Sequence, residues 1–400
     1  MPPMQPAVRR DLVAVLTCFG LCGATVGTWV SRIPAARDRL DADLSVVGLV
    51  LLCMGLGSLI TLPFGSRLIH FFSARLICMA GGIGMAAALS VLPLVRSPYA
   101  FGLLLLVAGG ALGCWELALN VHGAEVEKVA GRAVMPALHG FWSGGVMVGS
   151  GAGAVMAATG HGMGVHFWIV LPIVAVANVV WAARWGDHRI PVADDGRRSR
   201  PTMKVITPAI LMLAVIILFS NTGEGSASDW LALYVHDQRG LSQGLAAATY
   251  TTYSLTSTFG RLTGGFVVDR LGLLAVLRIS GLLTCGAMAI VVFVPGPVAP
   301  YLGAALWGLG LAVVFPTVVT IAGTRGGDNA AGAIAVVSTL GYGAFLLAPP
   351  VIGLIADRAS LQFALGFVMV LVLGIAIMAG PALAKRSPAP YAEATRSSGD

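Results

Sequence analysis

Between Trp115 and Gly145 the chain reads WELALNVHGAEVEKVAGRAVMPALHGFWSGG, which sets Glu116, Asn120 and His139 inside otherwise apolar sequence. A carboxylate at the centre of a bilayer costs roughly 2.5–3.5 kcal/mol on insertion scales, so one retained there marks a candidate functional position. Glu116 and Asn120 are four residues apart and share one helical face. At about 1.5 Å per residue, Glu116 and His139 stand roughly 9 Å and 8 Å from the same end of their spans. That common depth predicts a Glu116–His139 contact, direct or through water, able to pass a proton between carboxylate and imidazole. The plainer reading of His139 is a satisfied interhelical hydrogen bond. Trp115 and Trp142 are candidate stacking platforms for a solute, or packing residues.

A second cluster lies at Ser220–Trp230, SNTGEGSASDW, where Glu224 is flanked by Gly223 and Gly225 beside Asn221. Unwound backbone at membrane depth is tolerated where it is buried in protein or lines a cavity, so this segment predicts an interrupted helix at a site, with Glu224 as the second titrating candidate. Asp229 and Trp230 are expected at the membrane interface, matching the end of the first span at Trp29-Val30-Ser31-Arg32. Arg32 is read as an arginine reaching the headgroups or as part of a gate. Farther on, Tyr250, Tyr253 and Tyr342 are polar candidates for a solute cavity, and Arg261 is assigned to a gate. Glu125, Glu127, Lys128 and Arg132 are expected in a solvated loop.

These residues need a scaffold, and the composition dictates its class. The chain has 400 residues, 57% of them hydrophobic and 11% charged, with a mean hydropathy of +0.86; soluble domains carry about a quarter charged residues. An all-α polytopic membrane protein is implied. Windows of about 20 apolar residues fall at 12–31, 44–66, 76–94, 99–122, 134–159, 165–185, 205–227, 244–268, 273–295, 299–322, 331–356 and 361–383. The first run, from Leu12 to Val30, exceeds a signal-peptide core and is expected to stay as a span. Most of the 25 basic residues fall on the side shared by the two termini, which predicts both termini cytoplasmic. The same bias explains the net charge of +7 without nucleic acid. The Pro-, Gly- and charge-rich stretch after Trp185 divides the chain into an N-terminal unit (1–185), a linker (186–204), a C-terminal unit (205–383) and a tail (384–400). Six cysteines lie within the spans without paired spacing, so neither disulfides nor a metal site is expected, and no cofactor is implied. Gly145, Gly149 and Gly153 recur every fourth residue and predict a tightly packed helix face.

Gly265-Phe266-Val267-Val268-Asp269-Arg270-Leu271-Gly272 supplies G-x-x-x-D-R-x-G between the eighth and ninth windows, while Ile69 and His70 stand at the Asp and Arg places of the corresponding first-half loop. Taken with WVSRIPAARD, WELALNVHGAEVE, MPALHGFWSGG, GEGSASDWL, WGLG and GYGAFLLAPP, this order of motifs resembles the YbjJ-like branch of the major facilitator superfamily. The resemblance implies twelve transmembrane helices in two six-helix bundles, alternating access around a central cavity, a charge latch at Asp269 and Arg270, and a bacterial inner-membrane location. It names no substrate. The function read from the chain is a proton-coupled secondary active transporter of a small organic solute: export by antiport fits a broad, apolar cavity with few charges, uptake by proton–solute symport fits the resemblance to sugar permeases, and a transporter-like sensor is a further alternative. Its expected partners are the solute, protons and the lipid bilayer, the chain acting as a monomer. No Walker-type phosphate loop is present, and no HExxH motif or GxSxG elbow accompanies the intramembrane residues, so neither ATP driving nor hydrolase chemistry is expected.

Overall fold

The computed structural model describes residues 5–131, 134–186 and 206–384. The linker and the tail lie outside the described residues except for Gly186 and Ala384, as do Arg132 and the side chain of His70. Helices follow one another as α1 (Pro6–Val30), α2 (Ile33–Leu40), α3 (Leu44–Thr61), α4 (Gly65–Val91), α5 (Pro98–Ala130), α6 (Met135–Ala158), α7 (Met163–Ala182), α8 (Pro208–Ser226), α9 (Ala232–Arg239), α10 (Gln243–Leu271), α11 (Leu273–Phe293), α12 (Ala299–Leu311), α13 (Val314–Gly326), α14 (Ala330–Arg358) and α15 (Leu361–Leu383). A π turn at Ala227–Leu231 joins α8 to α9, and α12 runs on into α13. With α2 a short helix between spans, the described residues form twelve rods of membrane length.

Eleven of these are long and apolar enough to cross a membrane. The exception is α10, which at 29 residues is long enough but is diluted by Tyr250, Tyr253, Arg261, Asp269, Arg270 and a run of Ser and Thr. A helix of that composition is stable in a bilayer when its polar face turns toward protein or water rather than lipid. Accordingly α10 packs against α6 and α12.

Glycine sets the closest seam. In the α1–α6 contact, a Cβ on Gly145 would overlap the Gly20 carbonyl, and one on Gly149 the Ala24 carbonyl. Gly23 and Gly27 of α1 meet the carbonyls of Trp142 and Val146 in the same way. Backbones that approach this closely gain dispersion contacts that lipid cannot replace, so the predicted glycine face is the spine of the first bundle. The first six rods pack through α1–α6, α3–α5, α4–α5 and α4–α7, and the second six through α8–α14, α8–α15, α10–α12, α11–α12 and α11–α15. The two bundles meet along α3–α14 and α6–α10.

Several local expectations are corrected. Rather than ending at residue 122, α5 continues to Ala130, so Glu125, Glu127 and Lys128 are helical. Glu127 accepts from the Val134 and Met135 amides at 2.8 and 2.9 Å, satisfying donors left open at the start of α6. Glu125 is buried, 3.2 Å from the His122 imidazole. The segment between the second and third spans is also helical, with a break at Ser73, whose φ of 65° interrupts α4. Trp29 and Trp230 are 3% and 0% exposed and therefore pack inside the protein instead of anchoring at an interface.

Candidate functional site

The rods create a cleft between the bundles. At the end bearing α2 the bundles are in contact: Gly48 sits on the backbone of Pro349 and Pro350, Gly353 on Leu44, and Gly244 on Ala158. Away from that end, Tyr342 of α14 is 67% exposed while lying within electrostatic reach of Glu116 in the opposite bundle. A side chain so exposed between two protein faces marks space open to solvent.

The polar centre of this cleft is an ion pair. Glu224, on α8, is bonded to the guanidinium of Arg261 on α10, and Arg261 also donates to Ser143 Oγ of α6 at 3.1 Å. Glu224 and Arg261 belong to the second bundle and Ser143 to the first, so one side chain ties the two together. The pair is reachable by water, with 27% of the Glu224 side chain and 34% of the Arg261 side chain exposed. Behind it, Tyr250 and Tyr253 stack with ring centroids 5.9 Å apart, and Tyr253 meets Trp307 edge-on at 6.1 Å. Asn221, one turn before Glu224, is buried where α8 meets Gly341 of α14.

The segment expected to be unwound is helical through Glu224. Its irregularity comes later, as the π turn from Ala227 to Leu231. Such a turn fits an extra residue into the helix and re-aims the side chains on either side, and it recurs at functional sites. Asp229 lies within this turn, accepting from Ser228 Oγ at 3.0 Å.

The expected Glu116–His139 contact does not form. The two helices have different neighbours: α5 packs chiefly on α3 and α4, while α6 packs on α1 and α10. His139 consequently lies edge-on to Phe19 at 5.5 Å and near Arg261. Glu116 is partly exposed, close to Tyr342 and to Cys22 of α1. Asn120 turns to its own helix, donating to the Glu116 backbone carbonyl at 2.8 Å. Trp115 is fully buried against Gly81 and Gly82 of α4 and packs within the first bundle, so it is corrected from a cavity wall to a core residue. Trp142 is partly exposed, and its carbonyl lies against Gly23.

Arg32 is 1% exposed and does not reach toward headgroups. Its Nε donates to His166 Nδ1 at 3.0 Å and its Nη2 to the His161 carbonyl at 2.8 Å. Burial pulls this guanidinium down to about 10, which leaves it charged at neutral pH. At the opposite end Asp269 and Arg270 are exposed; Arg270 lies over the Phe266 ring at 4.4 Å, and Asp269 makes no ion pair among the described residues. Gly272 of the same motif has a φ of +79°, which lets the chain turn directly from α10 into α11 without the strain a side chain would bring.

Sequence reasoning missed Ser143 and His166. Ser143 was accessible in principle, being four residues past His139 on one face of α6. The partner of Arg32 was not, because His166 lies 134 positions away.

The Major Facilitator Superfamily description matches residues 13–349. An uncharacterized MFS-type transporter of Yersinia pestis is 29% identical over 376 residues, covering 94% of this chain and 96% of the relative. An uncharacterized transporter of Sinorhizobium fredii is 30% identical over 366 residues, covering 90% and 95%. Among solved structures, a variant of the nucleoside transporter NupG aligns with a TM-score of 0.77 at 15% identity, over 93% of this chain and all of that one, a likeness that speaks for the fold. Twelve rods in two bundles around a polar cleft, together with a family match over most of the length, place the chain in the major facilitator superfamily, as a membrane transporter of small molecules and not an enzyme.

Proposed function

We propose that this chain is a proton-coupled secondary active transporter of a small organic solute, working by alternating access and exporting by antiport. The observation that carries the reading is Arg261, held in the cleft by Glu224 of its own bundle and by Ser143 of the other. A charge shared between the two bodies that must rock apart is sensitive both to a solute group and to a proton on Glu224. Protonating Glu224 removes the counter-charge of Arg261, and binding shifts the balance between the two orientations of the bundles. Glu116, alone on the facing wall near Tyr342, is the second proton site, with His139 placed beside Arg261.

Export fits a cleft that exposes Tyr342 and holds one balanced ion pair. Symport has one observation in its favour: an anionic solute group that took Arg261 would release Glu224 to accept a proton, so solute and proton would travel together. In this reading the units 1–185 and 205–383 are the rocking bodies, Asp269 and Arg270 close the cytoplasmic face, and both termini are cytoplasmic in a bacterial inner membrane, with the monomer as the working unit.

The test is a reconstitution in liposomes of known orientation loaded with a pH-sensitive dye, after a thermal-stabilisation screen over amino acids, sugars and antibiotics has supplied a ligand. Under antiport, solute moving out of the lumen brings acidification of the lumen; under symport, the lumen becomes more alkaline. Binding without tracer flux would make the chain a sensor, and flux with no pH change would remove protons from the mechanism.

A further inference from the structure

The seam at the α2 end contains a group of charges outside the cleft. On the first bundle stand Arg37 and Asp38 of α2; on the second stand His236 and Asp237 of α9 and Gln243 at the start of α10. Arg37 Nη1 lies 3.5 Å from Asp38 and 3.7 Å from Asp237. Gln243 Nε2 donates to Asp38 Oδ2 at 2.8 Å. His236 Nε2 lies 3.7 Å from the same oxygen.

The tautomer of His236 follows from its other nitrogen. Nδ1 lies 2.8 Å from the Leu241 carbonyl, and a carbonyl oxygen only accepts, so Nδ1 carries a hydrogen. In the neutral ring Nε2 would then present a lone pair to the Asp38 carboxylate. Only the imidazolium turns an N–H toward it. The charge count agrees: Arg37 supplies one positive charge against two carboxylates, Asp38 and Asp237, and a proton on His236 brings the group to neutrality. Among the described residues the other ionisable groups of the neighbouring elements are engaged elsewhere: Arg39 of α2 donates to the Val95 carbonyl and Tyr234 of α9 to the Val292 carbonyl. On α9 itself, Arg239 is turned away to the Val291 and Val294 carbonyls. In the π turn, Asp229 is held by Ser228. The described part of α15 has no Asp, Glu, His, Lys or Arg, and the charged residues of α10 lie toward its far end.

We propose that His236 is a proton-binding site on the seam between the bundles, separate from the cleft acids, and that its proton holds the α2 end shut. Histidine is the side chain whose charge ordinarily changes between about pH 5 and 8. Acid therefore locks the seam by completing the His236–Asp38 pair, and opening of this end releases the proton into the compartment it faces. The proposal goes beyond the transport reading and stands or falls independently of protons at Glu116 or Glu224.

The experiment measures the distance between nitroxide labels at Asp43→Cys and Gln238→Cys, both exposed, in full-length chain in lipid nanodiscs, with the partly exposed Cys53, Cys114 and Cys285 replaced by Ser. The closed-to-open ratio should fall about two- to fivefold between about pH 5.5 and about pH 8, the scale of one solvent-reachable ion pair. His236→Gln and Asp38→Asn should lose that response, whereas His236→Lys, with a charge fixed across the range, should stay closed at both values. Glu116→Gln and Glu224→Gln should keep it. No response in the parent chain overturns the proposal, as does a response that survives His236→Gln. A response lost only in the cleft variants places the proton in the cleft instead.

Discussion

Glu224 and Glu116 lie in the same cleft, one on each bundle, and their surroundings are opposite. Glu224 has a guanidinium bonded to it, a hydroxyl of the other bundle bonded to that guanidinium, and a stacked tyrosine pair behind. Glu116 has no hydrogen bond to its carboxylate among the described residues, and Asn120, its neighbour on the same face, is spent on the helix backbone. Of the two, Glu224 belongs to a network that spans both bundles, so a change in its charge is felt by both. Glu116 is a single acid whose charge acts on one wall.

The contrast is broken most severely by Arg261→Ala. That change strands Glu224 and should cost about 1–3 kcal/mol of stability, between the fully buried and the exposed limits for an ion pair. It should be read as a fall in melting temperature that Arg261→Ala/Glu224→Gln largely restores; no recovery in the double variant would mean the two groups are not a functional pair. Next in size, Glu224→Gln exchanges a charge-assisted hydrogen bond worth about 1.5–3 kcal/mol for a neutral one. It should reduce proton-driven flux about tenfold or more and lower the melting temperature.

Glu116→Gln sharpens the comparison. Removing a carboxylate that has no bonded partner should leave the melting temperature unchanged or raised by the equivalent of about 1 kcal/mol. Proton-driven flux should still be lost while solute exchange persists. Equal melting-temperature losses for the two Gln variants would erase the distinction drawn between the acids. The smallest effect is expected for Ser143→Ala, about 0.5–1.5 kcal/mol, seen as a few-fold change in flux with little change in melting temperature.

The class of the molecule was legible without coordinates because span length and hydropathy follow from bilayer thickness. Each expected window is occupied by a rod, although α4, α5 and the α8–α9 rod run past theirs, and the glycine repeat of α6 marked a real close approach, since a four-residue period is a helix face wherever the helix packs. What failed were statements that depended on rotation about helix axes. Depth counted from an expected helix end is also only as good as that end, and α5 runs to Ala130, past the residue 122 from which the height of Glu116 was counted. Which neighbour Glu116 or His139 faces depends on how α5 and α6 are turned by α3, α4, α1 and α10, and the chain between them carries no record of that.

Composition and period thus determined by themselves that this chain is a polytopic membrane protein with acids placed among its apolar helices, since an unpaired charge in lipid is too costly to occur without cause. The tertiary arrangement alone decided that Arg261 is the partner of Glu224, that Arg32 is buried on His166, and that His236 faces Asp38 across the seam. Each of these pairs joins residues far apart in the chain, and electrostatics acts through distance in space, which only the packed helices supply.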